Sequence, residues 1–268
     1  MKIKNIAMSM AALGALGVGA IHYGKYVERK RLIKKEYNLN IKYKIAVFSD
    51  THFGNKFNEN NINKIVNIIN KEKVDFVFFV GDLFDRFNTY GEGEEIISCG
   101  LKKMQAKYGK YAVIGNHDEG RNNCEDYKRI CNNGEFRVLV NEIVEIEIEG
   151  ETIKIFGADD VFFGEKANFG EHMTKDSFNI FLMHEGDLVD EMNNVDLAFA
   201  GHTHNGQINI PLGKKIVKPY MGTKYKYGYY KVDRGALIVS GGVGVTRLPI
   251  RLFAVPEVVV VKPKLPCC

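Results

Sequence analysis

Val74-Asp75-Phe76-Val77-Phe78-Phe79-Val80-Gly81-Asp82-Leu83-Phe84-Asp85 is the stretch on which the fold turns. Val77 to Val80 is an unbroken apolar run, which suits a strand buried on both faces of a sheet. Gly81 lets the backbone turn sharply where that strand ends. Asp82 then falls at the carboxyl edge of the sheet, the edge where open α/β folds gather their ligands. Alone, this is a strand followed by a polar turn. Its meaning depends on whether other strands end in the same way.

They do. Ile45–Phe48 runs into Ser49-Asp50-Thr51-His52, and Tyr111–Ile114 into Gly115-Asn116-His117-Asp118. Phe178–Met183 ends in His184, and Val195–Ala200 in Gly201-His202-Thr203-His204. Between the first three strands, residues 58–70 and 92–107 repeat apolar residues near helical spacing. Strand, helix, strand, helix, strand predicts parallel pairing through right-handed crossovers. The second half reads as short strands over 136–140, 143–149 and 152–156, with a hairpin turn at Glu149-Gly150-Glu151. There Val144, Ile146 and Ile148 alternate with Glu145, Glu147 and Glu149, so one face is wet. Strands near Ile208, at 236–239 and at 258–261 close the domain.

At 268 residues the chain can bury one large core or two small ones, and 45% hydrophobic against 26% charged residues make most of it globular. A net charge of +4 gives no bulk attraction to nucleic acid, which is not expected as a partner. The five cysteines, Cys99, Cys124, Cys131, Cys267 and Cys268, are odd in number and scattered, so they form no disulfide framework. Cys267-Cys268 reads as an unstructured tail, with lipidation as the alternative.

Residues 1–40 stand apart from the globular pattern, which we place at 41–268. Ile6–Ile21 is apolar and uncharged, and a basic run from Lys25 to Lys35 follows it. Sixteen apolar residues suit a signal-peptide core and are short for a membrane span. The basic run favours retention as an anchor over cleavage. The expectation is an N-terminal apolar helix that holds the protein at a membrane, on a side left open.

Five of the seven histidines fall at strand ends, together with Asp50, Asp82 and Asn116. Asp and Asn oxygens combined with imidazoles suit divalent Mn, Fe, Zn or Ni, and the absence of thiolates speaks against a structural zinc site. The ligands suffice for two ions sharing the Asp82 carboxylate. Two ions about 4 Å apart can clamp a phosphoryl group and lower the pKa of a water between them.

In order, Asp50-Thr51-His52, Gly81-Asp82-Leu83-Phe84-Asp85, Gly115-Asn116-His117-Asp118, His184 and Gly201-His202-Thr203-His204 resemble the motifs of the calcineurin-like metallophosphoesterases. The resemblance runs from about residue 44 to 261. It implies a four-layer α/β/β/α sandwich with a dimetal site on top. It implies that Asp50, His52, Asp82 and His204 hold one ion, and Asp82, Asn116, His184 and His202 the other. His117 would face the leaving group with Asp118 orienting it, and Asp85 would support the ligands from behind.

Gly201 to Gln207, Ser240 to Gly244 and Leu248-Pro249-Ile250-Arg251 are similar to a bacterial membrane-associated branch that includes UDP-diacylglucosamine hydrolases. Asn205 and Glu185 depart from that branch, which bears on the substrate and not on the metals. Lys214–Lys231 holds six lysines, five tyrosines and no acid. It reads as a solvated loop or as a basic lip beside the metals, with Lys224, Tyr225 and Arg247 as candidate substrate contacts. The glycines of Gly241-Gly242-Val243-Gly244 let backbone pass close to the site.

The expected activity is dimetal hydrolysis by in-line attack at phosphorus. The expected substrate is a phosphodiester or pyrophosphate, lipid-linked or of the nucleotide-sugar-lipid kind. A nuclease or protein phosphatase of the same superfamily is the alternative, and a non-catalytic metal-binding scaffold a distant one.

Overall fold

A computed structural model of the chain describes residues 2–54, 57–85, 93–119, 124–210, 214–215 and 219–264. Cys267 and Cys268, the start of the second predicted helix at Glu92, and residues 216–218 of the lysine-tyrosine stretch lie outside the described residues. In chain order the elements begin with α1 (Lys2–Tyr26), β1 (Ile33–Leu39), β2 (Ile45–Phe48), α2 (Glu59–Glu72), β3 (Phe76–Val80) and α3 (Glu94–Lys102). β4 (Gly109–Val113), α4 (Asn116–Glu119), α5 (Cys124–Asn133), β5 (Arg137–Val138), β6 (Glu142–Ile148), β7 (Glu151–Gly157) and β8 (Phe178–Leu182) follow. The chain continues with β9 (Leu197–Ala200), β10 (Asn209–Ile210), β11 (Lys214–Lys215), β12 (Gly228–Val232), β13 (Gly235–Val239) and β14 (Glu257–Pro263).

Two six-stranded sheets result, ordered β1-β14-β2-β3-β4-β5 and β12-β13-β9-β8-β7-β6. Strands β2, β3, β4 and β5 pair in parallel, as do β7, β8, β9 and β13. The side-chain period of two explains why β3 is apolar throughout. Phe76, Phe78 and Val80 enter the core between the sheets, where Ile155, Leu182 and Phe199 meet them. Val77 and Phe79 point the other way, into a core closed by Ile65 and Ile69 of α2, Ile97 and Leu101 of α3, and Tyr127 and Ile130 of α5. All five β3 residues are fully buried.

Helix α2 lies where the periodicity puts it. Asn58 and Asn61 close its first turn reciprocally as a capping box, and Lys73 ends it in the left-handed conformation. The outer face of the second sheet differs from the expected helical fourth layer. Residues 158–177 and 183–195, on either side of β8, cover it with irregular chain and a 3₁₀ turn at Gly186–Glu191, packing Phe169, Met173, Leu188 and Met192 on Phe181 and Leu237. No α-helix covers that face among the described residues. β1 begins N-terminal to the expected domain start and pairs along its length with β14. Its charges pair with Glu72 and Lys262, which suits an edge strand.

The membrane expectation is corrected. Among the described residues, no helix is long and apolar enough to cross a membrane. A run of 16 apolar residues rises only about 24 Å as a helix, against a hydrocarbon core about 30 Å thick. The run cannot be lengthened at its C-terminal end, because that end is built into the domain. The Gly24 carbonyl accepts from Arg251 N at 3.2 Å, and the buried Glu28 carboxylate accepts from Ala254 N at 2.7 Å.

Candidate metal centre

Five strands, three from the first sheet and two from the second, deliver their C-terminal ends to one edge. Asp50 and His52 follow β2, Asp82 follows β3, and Asn116 and His117 follow β4. His184 follows β8, and His202 and His204 follow β9. Asp50, His52, Asp82, His202 and His204 all take positive φ, between 43° and 69°. Non-glycine residues there cost of order 1–3 kcal/mol each and persist where the surroundings over-determine them. The surroundings here are backbone ties between neighbouring exits. Asp50 N donates to the Gly81 carbonyl at 2.9 Å, His52 N to the Asp82 carbonyl at 3.2 Å, and Gly244 N to the Asp50 carbonyl at 2.8 Å.

Side chains converge as a result. Asp50, His52, Asp82 and His204 each offer an atom within 4.8 Å of all the others, and every one is buried. His52 Nε2 lies 2.9 Å from His204 Nε2 and 3.5 Å from Asp82 Oδ2. His204 Nε2 lies 3.3 Å from Asp50 Oδ1. On the other side, His184 Nδ1 donates to the Val80 carbonyl at 2.7 Å. That leaves Nε2 facing Asp82 Oδ2 at 3.2 Å with no hydrogen-bond partner among the described residues, a position for a proton or a metal ion. His202 Nε2 is met by the Tyr220 carbonyl at 2.8 Å, so Nδ1 turns its lone pair to Asn116 Oδ1 at 2.9 Å. Two acceptors that close belong on either side of a cation. Buried, acceptor-rich and donor-poor, the cluster fits divalent metal, with Asp82 between its two halves.

The titration behaviour follows from burial and charge. Burial drives His52 down to about 3 and His202 down to about 4, and drives His204 well below its ordinary value. All three are neutral near pH 7, as ligands must be. Burial also acts to lower His184, but the Asp82 carboxylate outweighs it and holds the ring well above its usual range. Burial pushes Asp50 up to about 6 and Glu185 up to about 8.

A cleft of about 500 Å³ opens beside this cluster, with Asp82, Asn116, His117, His202 and His204 in its wall. Arg247 lines it, as do Phe162, Tyr220 and Leu248. Phe162 packs on the His202 ring at 5.8 Å and on Tyr220 at 5.7 Å, so an aromatic wall stands next to the ligands. Lys224 and Tyr225 do not reach the cleft. Lys224 Nζ pairs with Asp190 at 2.6 Å, and the Tyr225 hydroxyl donates to the same carboxylate at 2.8 Å. Asp190 neutralises the ammonium, which weakens the basic-lip expectation.

Asp118 is also used differently from the expectation. Its Oδ2 accepts from Asp82 N and Gly115 N, and its Oδ1 from Leu83 N and Phe84 N, at 2.8 to 3.2 Å. The carboxylate therefore holds the loop that carries Asp82. The His117 ring is met by the Asp85 carbonyl, 3.4 Å from Nδ1, and its amide donates to Asp82 Oδ1 at 2.9 Å. Asp85 Oδ1 lies 3.7 Å from His52 Nδ1 and accepts from Thr246 Oγ1, behind the ligand.

Two residues given no role from sequence matter here. Arg251 is fully buried and donates to the Gly244, Gly241 and Ala254 carbonyls, with Nη2 3.3 Å from His204 Nδ1. Asp160 is fully buried beneath Phe162 and Phe163, whose amides its Oδ1 accepts. The sequence signal for the first was its place in Leu248-Pro249-Ile250-Arg251, which named no role for it, and the second had none.

A sequence model of the calcineurin-like phosphoesterase family matches residues 43–206. The chain is 31% identical over 271 residues to the uncharacterized metallophosphoesterase YkuE of Bacillus subtilis (strain 168), spanning 96% of this chain and 94% of that one. It is 28% identical over 276 residues to an uncharacterized metallophosphoesterase of Aquifex aeolicus (strain VF5), spanning 96% and 97%. With YkoQ of Bacillus subtilis, named in the same terms, it shares 29% over 206 residues, 73% of this chain and 74% of that one.

Proposed function

Because the chain belongs to the calcineurin-like phosphoesterase family and is a phosphoester hydrolase, we propose that it cleaves phosphodiesters or pyrophosphates that carry an aromatic or apolar group beside the phosphate. The family works through a dimetal centre, and residues able to hold metal ions stand at this edge. In this proposal Asp50, His52, Asp82 and His204 hold one ion, and Asp82, Asn116, His184 and His202 the other. When bound, such ions polarise phosphoryl oxygens and lower the pKa of an attacking water. The chain's own residues do the rest. Asp82 keeps the two halves together, and His117, in the cleft wall, gives a proton to the departing oxygen. Arg247 contributes positive charge to the cleft.

The observation that carries the substrate class is the aromatic wall. Phe162 and Tyr220 line the cleft with 37% and 73% of their surface exposed, and Phe162 packs on a ligand ring. Inorganic phosphate or the ester of a small polar alcohol has nothing to set against that wall, whereas an ester of a nucleoside, an aryl group or an acyl chain does. The nucleotide-sugar-lipid pyrophosphates suggested by the C-terminal motifs are one member of this class, and simple nucleotide diesters another.

Manganese-supplemented enzyme should be assayed on bis-p-nitrophenyl phosphate, an acylated glycerol phosphodiester and the same glycerol phosphodiester without its acyl chains. Phe162→Ala should raise KM for the aryl or acyl diester about tenfold while leaving the unacylated glycerol diester within a factor of two, the scale of one lost apolar contact of about 1–2 kcal/mol. Preference for the aryl over the acyl partner separates the two sources. Equal effects on all three would refute a substrate-recognition role for the wall.

A further inference from the structure

The eight-contact arrangement proposed for the two ions leaves one buried carboxylate unexplained. Glu185 follows His184 and is fully buried, and neither of its carboxylate oxygens has a hydrogen-bond partner among the described residues. Its Oε1 lies 3.8 Å from His202 Nδ1. One atom each from His184, Glu185 and His202 lie within 4.8 Å of one another, a spacing that one ion can bridge. Asp160 is also fully buried, next to Glu185, with Oδ2 likewise lacking a donor. A buried carboxylate with no donor is costly, and it must either hold a proton or meet a compensating cation. No lysine or arginine is paired with Glu185 among the described residues.

We propose that Glu185 is a ligand of the ion held by His184 and His202, giving that ion a carboxylate of its own beside the shared Asp82. This rests on the dimetal reading above. The two halves of the centre then differ in kind. The Asp50 half has two imidazoles and two carboxylates. The His184 half gains a second carboxylate in addition to the Asn116 amide oxygen. An oxygen-richer set favours harder ions, so the His184 half should hold Mn²⁺ against Zn²⁺ better than it would without Glu185.

Chelator-stripped full chain titrated with Mn²⁺, followed by calorimetry and metal analysis, tests this without reference to turnover. Glu185→Gln keeps the shape and removes the charge. It should weaken one Mn²⁺ by about 10- to 100-fold and leave the other within about threefold, the range seen when groups supporting a metal are lost. Stripped Glu185→Gln should melt no lower than stripped wild type, because an unpaired acid has been removed. Two Mn²⁺ bound as in wild type would overturn the proposal. So would a lower melting temperature for the stripped variant with an undiminished gain on adding Mn²⁺, which is the behaviour of a packing residue. If Glu185→Gln does not fold, Glu185→Asp carries the test: withdrawing the carboxylate by one methylene should weaken the same Mn²⁺, and unchanged binding of both overturns the proposal. Asp82→Asn serves as the control. It should lose both ions, and retention of both there would indict the dimetal reading and not Glu185.

Discussion

His117 shows how one residue's surroundings separate roles that sequence alone runs together. It stands beside Asp118 in the chain, and the family resemblance implied an acid with its orienting carboxylate. The fold instead directs Asp118 to four backbone amides under Asp82. His117 is placed by its own amide on Asp82 Oδ1, by the Asp85 carbonyl, and by an edge-on contact with the His52 ring at 4.8 Å. If it protonates the leaving group, its value depends on how poor that group is. General acids contribute roughly 10²- to 10⁴-fold. His117→Ala should therefore cut kcat/KM on an alkyl diester by about that much, and on a nitrophenyl diester by less than tenfold. Equal losses would mean that His117 positions the phosphate. The candidate ligands were legible from sequence because each is a ligand-type residue directly after an apolar run. The Asp118 contacts were not, because hydrogen bonds across 35 residues of chain leave no local trace.

At the level of elements, strands and helices with a clean period stood out, as at β2, β3, β8 and α2. β1 did not, since its lysines and glutamate mask a half-buried alternation that becomes a strand only once β14 lies beside it. The left-handed exits after β2, β3 and β9 were equally hidden, because Asp and His signal a ligand and not a backbone angle. Those exits depend on close backbone approach. Gly81 has φ +87°, and a Cβ there would come within 2.5 Å of His184 Nδ1 and 2.9 Å of Gly115. A methyl group at Gly81 is strained by its dihedral and pushes directly on a candidate ligand. Gly81→Ala should destabilise the stripped protein by about 1–3 kcal/mol. It should also weaken the ion on the His184 side more than the one on the Asp50 side. Calorimetric melting and Mn²⁺ titration of the same variant would check both, and a variant as stable as wild type would show that the loop can yield.

For the whole molecule, the centre joins the two sheets. β2, β3 and β4 of one and β8 and β9 of the other each give residues to it, so ions bound there tie one sheet to the other and should add to stability by linkage. The metal-free protein holds protons where ions would sit, which makes that gain depend on pH. His184 and Glu185 have folded values raised above their unfolded ones, Glu185 to about 8. Both make the stripped fold less stable as pH rises towards the folded values, His184 because it loses its charge beside Asp82 and Glu185 because a buried charge becomes costly. His52 and His202, lowered to about 3 and about 4 by burial, act in the opposite sense, and only as pH falls below about 6.5. Between pH 6.5 and 8.5 the first pair governs, and the stripped protein should lose stability with rising pH, at most about 1.4 kcal/mol per unit for each proton released. With Mn²⁺ bound the ligands are already deprotonated, so the loaded protein should change little over the same interval. The difference in melting temperature between loaded and stripped protein should therefore widen from pH 6.5 to 8.5. Calorimetry in buffers of different ionisation enthalpy should show net proton release on Mn²⁺ binding at pH 6.5, with the share from Glu185 falling away as pH rises past about 8. A gap that narrows with rising pH, or Mn²⁺ binding without proton release at pH 6.5, would mean that His184 and Glu185 carry no exchangeable proton and that burial alone shapes this edge of the fold.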